Sequence, residues 1–320
     1  MKNKYPWRER LKVNLAILGF KVLIYFPMPI LRLLSVVIEL GMYQASKYNW
    51  LPAMRRRYAI ALTNLQLCFP ENTELERRKI WRASFRESVL GYLNYGLLFC
   101  ASPNKLRQRI KCQGLDEVLK YEHSQAAIIL VPHFCAFDIG MNRVSLDVSF
   151  CSIYKYVDNY FYECLRLARL RFVKPDDNSV IYSIEDGLIP VVRVLQNKKL
   201  PLFYLPDLDY GETNSIYAPF FQQSRATLNT LPRLAKLAKA VVIPSNSFRR
   251  GNHYYFEFKK AVDKYPTGNN VDDVETMNSI LERIIREHPE HYRWYFPIFK
   301  TQLNKPDGCL YEGAEDKIVF

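Results

Sequence analysis

The sequence predicts an α/β protein, a mixed, mainly parallel sheet flanked by helices, with an N-terminal helical segment that associates with membrane. Three observations lead there. Unbroken apolar runs at 126–132, 148–154, 201–205 and 240–244 have the length of strands and the composition of strands buried on both faces. Helical stretches near 137–145, 158–172, 184–196 and 228–239 separate them, and strands alternating with helices at this spacing build a parallel sheet. Ahead of all this, residues 15–40 are largely apolar, broken by Pro27-Met28-Pro29.

Lys2, Lys4, Arg8, Arg10 and Lys12 precede two apolar runs, 15–26 and 30–40. Each run is shorter than the roughly 20 residues an ordinary bilayer span needs. In the second, Arg32, Ser35 and Glu39 fall at i, i+3 and i+7, so a helix gathers them on one stripe and leaves Leu31, Leu34 and Ile38 on the other side. That is the pattern of an interfacial helix. Arg55, Arg56 and Arg57 put positive charge on the far flank too, against a single crossing. The expectation for 1–50 is therefore a pair of interfacial or half-inserted helices, with a true span or a buried core hairpin as the alternatives, and no small-residue cleavage site marks a removed signal. An α/β domain follows over 51–320, with a helical lead-in at 51–105 in which Thr73 and Glu76 form a capping box. A strand-like stretch at 253–260 precedes a helix starting near Asn270, where Met277, Ile280, Leu281, Ile284 and Ile285 repeat at helical spacing. No internal repeat or low-complexity linker indicates a separately folding second domain.

A chain of 320 residues, 49% hydrophobic, can bury a large core, which excludes general disorder. Its net charge of +13 calls for an anionic partner, whether nucleic acid, acidic lipid or an acidic carrier protein. No helix-turn-helix, finger or base-stacking motif accompanies the charge, so nucleic acid is the weakest of the three. The cysteines (Cys68, Cys100, Cys112, Cys135, Cys151, Cys164 and Cys309) are odd in number and lack C-x-x-C spacing. They read as reduced thiols of a cytosolic compartment.

His133 comes directly after the buried run 126–132, at the C-terminal end of a strand, where α/β sheets present ligand sites. Asp138 follows in the first turn of the next helix. Its carboxylate can accept from one ring nitrogen and leave the other as a base, which suits deprotonating a hydroxyl that attacks a thioester. The bland alternative is a histidine capping the strand and an aspartate favoured by the helix dipole. Cys135, beside them, sits in an apolar context that leaves a thiol inert. His288 and His291 have H-x-x-H spacing without the glutamate and third ligand of a metalloprotease, so no metal is expected.

The segment LVPHFCAFDIG (130–140) resembles the His-x-x-x-x-Asp/Glu signature of the glycerolipid acyltransferases, and its surroundings narrow the resemblance to the late acyltransferases of bacterial lipid A biosynthesis. Similar stretches occur in order: NLQLCFPE (64–71) with ERR (76–78), LPDLDYG (205–211), SIYAPFF (215–221) with Ala226-Thr227, PEHYRW (289–294) and FKT (299–301). The resemblance covers nearly the whole chain. It implies an enzyme without cofactor or metal, on the cytoplasmic face of the inner membrane, that takes an acyl chain from acyl carrier protein. The acceptor it implies is a hydroxyl of a lipid A precursor, and anionic inner-membrane lipids are implied as neighbours.

By the same resemblance His133 is the general base, Asp138 its orienting partner, and Arg143 an arginine the family also carries. Asp207 and Asp209 occupy the family's Asp-x-Asp-Tyr-Gly motif. Read from the residues, they form a loop at the end of another strand, close to His133 across the sheet edge, or else a tight Asp/Gly turn. Arg143 and Lys155 are candidate oxyanion donors. Arg166 and Arg169, with Arg171 and Lys174 near them, and Arg233, Lys236 and Lys239 are candidate phosphate or carrier-protein contacts, or simply solvated helix faces. Three departures touch the acceptor contacts: Asp138 stands where the lipid A branch usually has glutamate, Tyr154-Lys155-Tyr156 replaces Tyr-Arg-Pro, and Pro297 and Ile298 replace a basic pair. A Phe-Pro-Glu-Gly-Thr phosphate motif, typical of glycerol phosphate acyltransferases, is absent. The competing readings are a phosphatidylinositol mannoside or other glycolipid acyltransferase and, outside enzymes, a membrane-bound lipid-binding scaffold; retention of both His133 and Asp138 speaks against the scaffold.

Overall fold

Prolines set the first two helices, α1 (Trp7–Leu23) and α2 (Met28–Lys47), which follow Pro6 and Pro27. Pro29 lies in the first turn of α2, where its missing N–H costs no helical bond. The computed structural model describes residues 4–154, 156–172, 180–183 and 187–313. A helical layer continues with α3 (Pro52–Cys68), α4 (Glu74–Leu93), α5 (Gly96–Cys100) and α6 (Pro103–Arg109). The α4 N-terminus carries the expected capping box, with Thr73 Oγ1 accepting from Glu76 N and the Glu76 carboxylate accepting from Thr73 N at 2.7 Å.

The remaining elements are β1 (Ile110–Gln113), α7 (Leu115–Leu119), β2 (Ala127–Leu130), α8 (Phe137–Val144), β3 (Cys151–Tyr154), α9 (Tyr160–Arg169) and β4 (Val180–Ser183). They continue with α10 (Ile189–Asn197), β5 (Leu202–Tyr204), β6 (Ser215–Phe220), β7 (Gln223–Leu228), α11 (Thr230–Ala238), β8 (Val241–Arg250), β9 (His253–Phe258) and α12 (Asn270–Glu287). Seven strands form one sheet in the order β1-β9-β8-β2-β5-β3-β4, and β6 and β7 form a separate hairpin. The strands β8, β2, β5, β3 and β4 run parallel, whereas β9 turns back antiparallel on β8 and carries β1 with it. All four apolar runs are strands of this sheet, and their side chains form the core between the helical layers.

Three parts of the sheet lay outside the sequence reading. Strands β1 and β4 are its edges, and the visible pattern of β1 alternates between buried and exposed, so no continuous apolar run marks it. Strand β8 runs on past Pro244 through Ser245, Asn246 and Ser247, buried polar residues that carry no apolar signal but pair with β9.

The N-terminal pair differs in which face it shows. Ser35 and Glu39 do share a stripe, but that stripe is turned inward, together with Leu31. Glu39 is buried against α4, where Arg82 donates to both of its oxygens at 2.7 and 3.1 Å. The exposed stripe is Ile30, Leu33, Val37 and Leu40, continued on α1 by Leu11, Leu15, Leu18 and Val22. A buried carboxylate needs its partner, so the ion pair fixes the rotation of α2 and leaves the apolar side out. The helix also runs past its apolar run to Lys47, and it is the one described helix long and apolar enough to cross a membrane.

Helix α1 packs on α5 at Gly96, where an added Cβ would fall inside the contact distance of Phe20 O and Ile24. Gly96→Ala is therefore expected to lift α1 away, costing about 1–3 kcal/mol, and to open the segment near Ile24 to limited proteolysis. Gly19→Ala, which meets open space, is expected to leave both measurements unchanged.

Candidate active site

Strands β2 and β5 are parallel neighbours with Leu130 opposite Tyr204. The chain then leaves both strands in the same direction, so His133 and Asp207 emerge side by side beyond the sheet's C-terminal edge, the position where α/β sheets hold ligands. The Asp207 carboxylate accepts from His133 Nδ1 at 2.7 Å and from the His133 backbone N–H at 2.8 Å. One acid thus fixes both the ring and the loop that carries it. Burial would push the Asp207 carboxyl up, but the His133 ring and N–H hold it below the usual carboxylate range. With Nδ1 donating to Asp207, the proton sits on Nδ1 and the Nε2 lone pair is free. Nε2 has no hydrogen-bond partner among the described residues, and the side chain keeps 19% of its surface exposed.

Two further contacts stiffen this corner. Arg225, fully buried on β7, donates to the Asp207 carbonyl at 2.8 Å while its guanidinium lies over the Phe220 ring. On the other side Phe134 bridges to Tyr292, Cys135 N donates to His291 O at 2.8 Å and Arg293 N donates to His133 O at 3.2 Å. Ser84 of α4 donates to Tyr292 O at 2.6 Å, so the turn is held by chain more than 150 residues distant on one side.

Asp138 does not orient the imidazole, which corrects the expected pairing. Its carboxylate accepts from Tyr95 at 2.9 Å and Arg169 at 2.5 Å, with Arg293 at 3.5 Å. The reason lies in the helix start: α8 begins at Phe137, and Asp138 in its first turn faces α9 and the chain before α5. Burial would raise this carboxyl, but the two guanidiniums and the tyrosine hydroxyl outweigh it and hold it at about 2.

The other expected site residues separate. Asp209 takes the turn reading, accepting from Gly211 N at 3.0 Å and from Thr301 N at 2.7 Å, which ties the FKT segment to the loop after β5. Arg143 is paired with Asp147, which also meets Arg107, and lies beside Cys112 on β1, so its guanidinium is engaged away from His133. Arg166 is paired with Glu163 on its own helix at 2.7 Å, and Arg169 is committed to Asp138. Lys155 and Lys174 lie outside the described residues. Arg171 donates to Leu98 O and Ala101 O, while Arg233, Lys236 and Lys239 are solvent-exposed.

The Cys135 thiol is buried against Ser88 at 3.1 Å, and burial pushes it up to about 11, which leaves it protonated and unreactive. His291 is buried and its Nε2 accepts from Arg249 N at 3.3 Å, while His288 stacks on Phe248. Both imidazoles therefore serve packing. Sequence reading missed Tyr95, Arg225 and Arg293. Arg293 lay within the PEHYRW stretch, yet no spacing links it to Asp138; their contact exists only because 291–293 pairs with 133–135.

The class is that of the O-acyltransferases, and comparison with known proteins places the chain within it. The model of the bacterial lipid A biosynthesis acyltransferases matches residues 7–301, so the chain belongs to that family. A lipid A biosynthesis palmitoleoyltransferase of Escherichia coli strain K12 is 27% identical, over 78% of this chain and 81% of its own. A lipid A biosynthesis lauroyltransferase of the same strain is 28% identical over 80% and 82%. A lipid A biosynthesis acyltransferase of Haemophilus influenzae is 26% identical over 93% of both chains.

Asp138→Asn would leave Arg169 and Arg293 without their anion, and is expected to cost about 3–5 kcal/mol in chemical denaturation at neutral pH. Because the folded-state pKa of about 2 lies below the ordinary 3.8, the stabilisation is present above pH 4 and is lost as pH falls toward 2. The gap between variant and parent should narrow over that window.

Proposed function

We propose that this protein transfers a fatty acyl group from the thioester of acyl carrier protein to a hydroxyl of a lipid A precursor, with His133 as general base and Asp207 as the residue that orients it. The observation that carries the reading is the Asp207–His133 contact at 2.7 Å with Nε2 open. In the proposed step Nε2 takes the proton of the acceptor hydroxyl as its oxygen attacks the thioester carbonyl. The new C–O bond forms, the tetrahedral oxyanion collapses, the C–S bond breaks, and the imidazolium returns its proton to the departing thiolate. While the imidazolium exists, the ionised Asp207 beside it stabilises its charge.

Asp138 acts at one remove in this account. Its ties to Arg169 and Arg293 join α8, α9 and the 291–293 segment, which set the path of the loop bearing His133. The outward apolar stripes of α1 and α2 support docking on a lipid bilayer, and residues 1–50 act as that membrane-associating unit while 51–320 carries the transfer chemistry. For the protein donor, the exposed Arg233 and Lys236 on α11 offer a basic face to an acidic carrier, and we place the enzyme on the cytoplasmic side of the inner membrane, where that carrier is found.

With purified protein, acyl-carrier thioester and lipid acceptor, His133→Ala should lose transfer by at least about a thousandfold and keep its fold by circular dichroism. Asp207→Asn should reduce kcat by about a hundredfold or more. Full turnover by His133→Ala would end the proposal.

A further inference from the structure

A concavity between α2 and α4 holds about 560 Å³ and includes neither His133, Asp207 nor Asp138 in its lining. Its walls combine two chemistries. Leu33, Val36 and Leu90 supply an apolar side, and Leu33 belongs to the exposed stripe of α2. Arg32 from α2 and Arg86 from α4 supply cations, and neither guanidinium makes a hydrogen bond or ion pair among the described residues. Arg249 also lines the groove, but Glu87 already satisfies it through contacts at 3.0 and 3.1 Å. Glu290 is the remaining acid, so three arginines against two carboxylates leave the lining net positive.

Two arginines without an anion, set at the edge of an outward apolar stripe, match a ligand with an anionic head and a hydrocarbon tail. We propose that this groove binds the phosphate headgroup of an anionic membrane phospholipid, with Arg32 and Arg86 on the phosphate and Leu33 and Val36 against the upper acyl chain. The forked guanidinium suits phosphate oxygens, and an apolar wall beside it excludes a hydrated free anion in favour of a lipid. The bound lipid joins α2 to α4 on the membrane side, opposite in sense to the buried Glu39–Arg82 pair that joins them inside. This role goes beyond acyl transfer, because the lipid is held and not consumed.

The test is co-sedimentation of the full-length protein with phosphatidylcholine vesicles, with or without phosphatidylglycerol. Arg32→Gln/Arg86→Gln should bind phosphatidylglycerol vesicles roughly 25-fold more weakly, about fivefold for each arginine near an anionic surface, and pure phosphatidylcholine vesicles unchanged. Arg233→Gln/Lys236→Gln on the exposed face of α11 removes equal charge and should change neither. Equal loss in both double variants would reduce the effect to net charge and overturn the groove. Transfer to a detergent-dispersed acceptor should keep its KM in Arg32→Gln/Arg86→Gln; a raised KM with vesicle binding intact would make the groove an acceptor subsite and overturn the phospholipid assignment.

Discussion

Everything at the C-terminal edge of the sheet follows from the register of two strands. Leu130 lies opposite Tyr204, and the residues that leave β2 and β5 from there deliver an imidazole and a carboxylate to the same point. A slip of one residue would turn the side chains of β2 to the other face. That register is secured by close packing: β2 is buried at every position, between β8 and β5, so a slip would force every side chain into a space shaped for another. Precision in the site is therefore a property of the core, and the loops add only the last few ångströms.

Around that corner, ion pairs do the fastening that apolar contacts do elsewhere. Asp138 ties α8 to α9 and to the segment of Arg293, Glu87 ties α4 to Arg249, and Glu39 ties α2 to α4. Each joins a buried acid to an arginine, whose fork fixes orientation as well as distance. The arrangement has a consequence for the N-terminal helices: with their polar contacts spent inward, their apolar side chains are left facing out. Outward apolar stripes of this kind mark an interaction surface, and the proposed seat on a lipid bilayer rests on them.

Much of this was legible in the sequence. The four apolar runs located the central strands because burial on both faces leaves an unbroken signal, and the edge strand β1 escaped because its signal is mixed. His133 was legible for the same reason, since it follows such a run, and the nearness of Asp207 across the sheet edge could be inferred from a second one. The choice between Asp138 and Asp207 was not, because proximity in sequence favoured the first and only strand order places the second beside the ring. Arg293 and Arg225 were beyond reach, since each acts across a tertiary contact that no local period encodes. Ser35 and Glu39 were seen to share a stripe of α2, but that Leu31 joins them and Arg32 does not, with the stripe turned inward, depended on Arg82, far along the chain.

The partnership of His133 and Asp207 can be read directly from nitrogen-15 and proton resonances of a histidine-labelled sample. The account predicts a His133 ring protonated at Nδ1, with that proton strongly deshielded by the carboxylate and the signal lost in Asp207→Asn but retained in a folded Asp138→Asn sample. A ring protonated at Nε2, or an Nδ1 proton whose resonance depends on Asp138 and ignores Asp207, would contradict it.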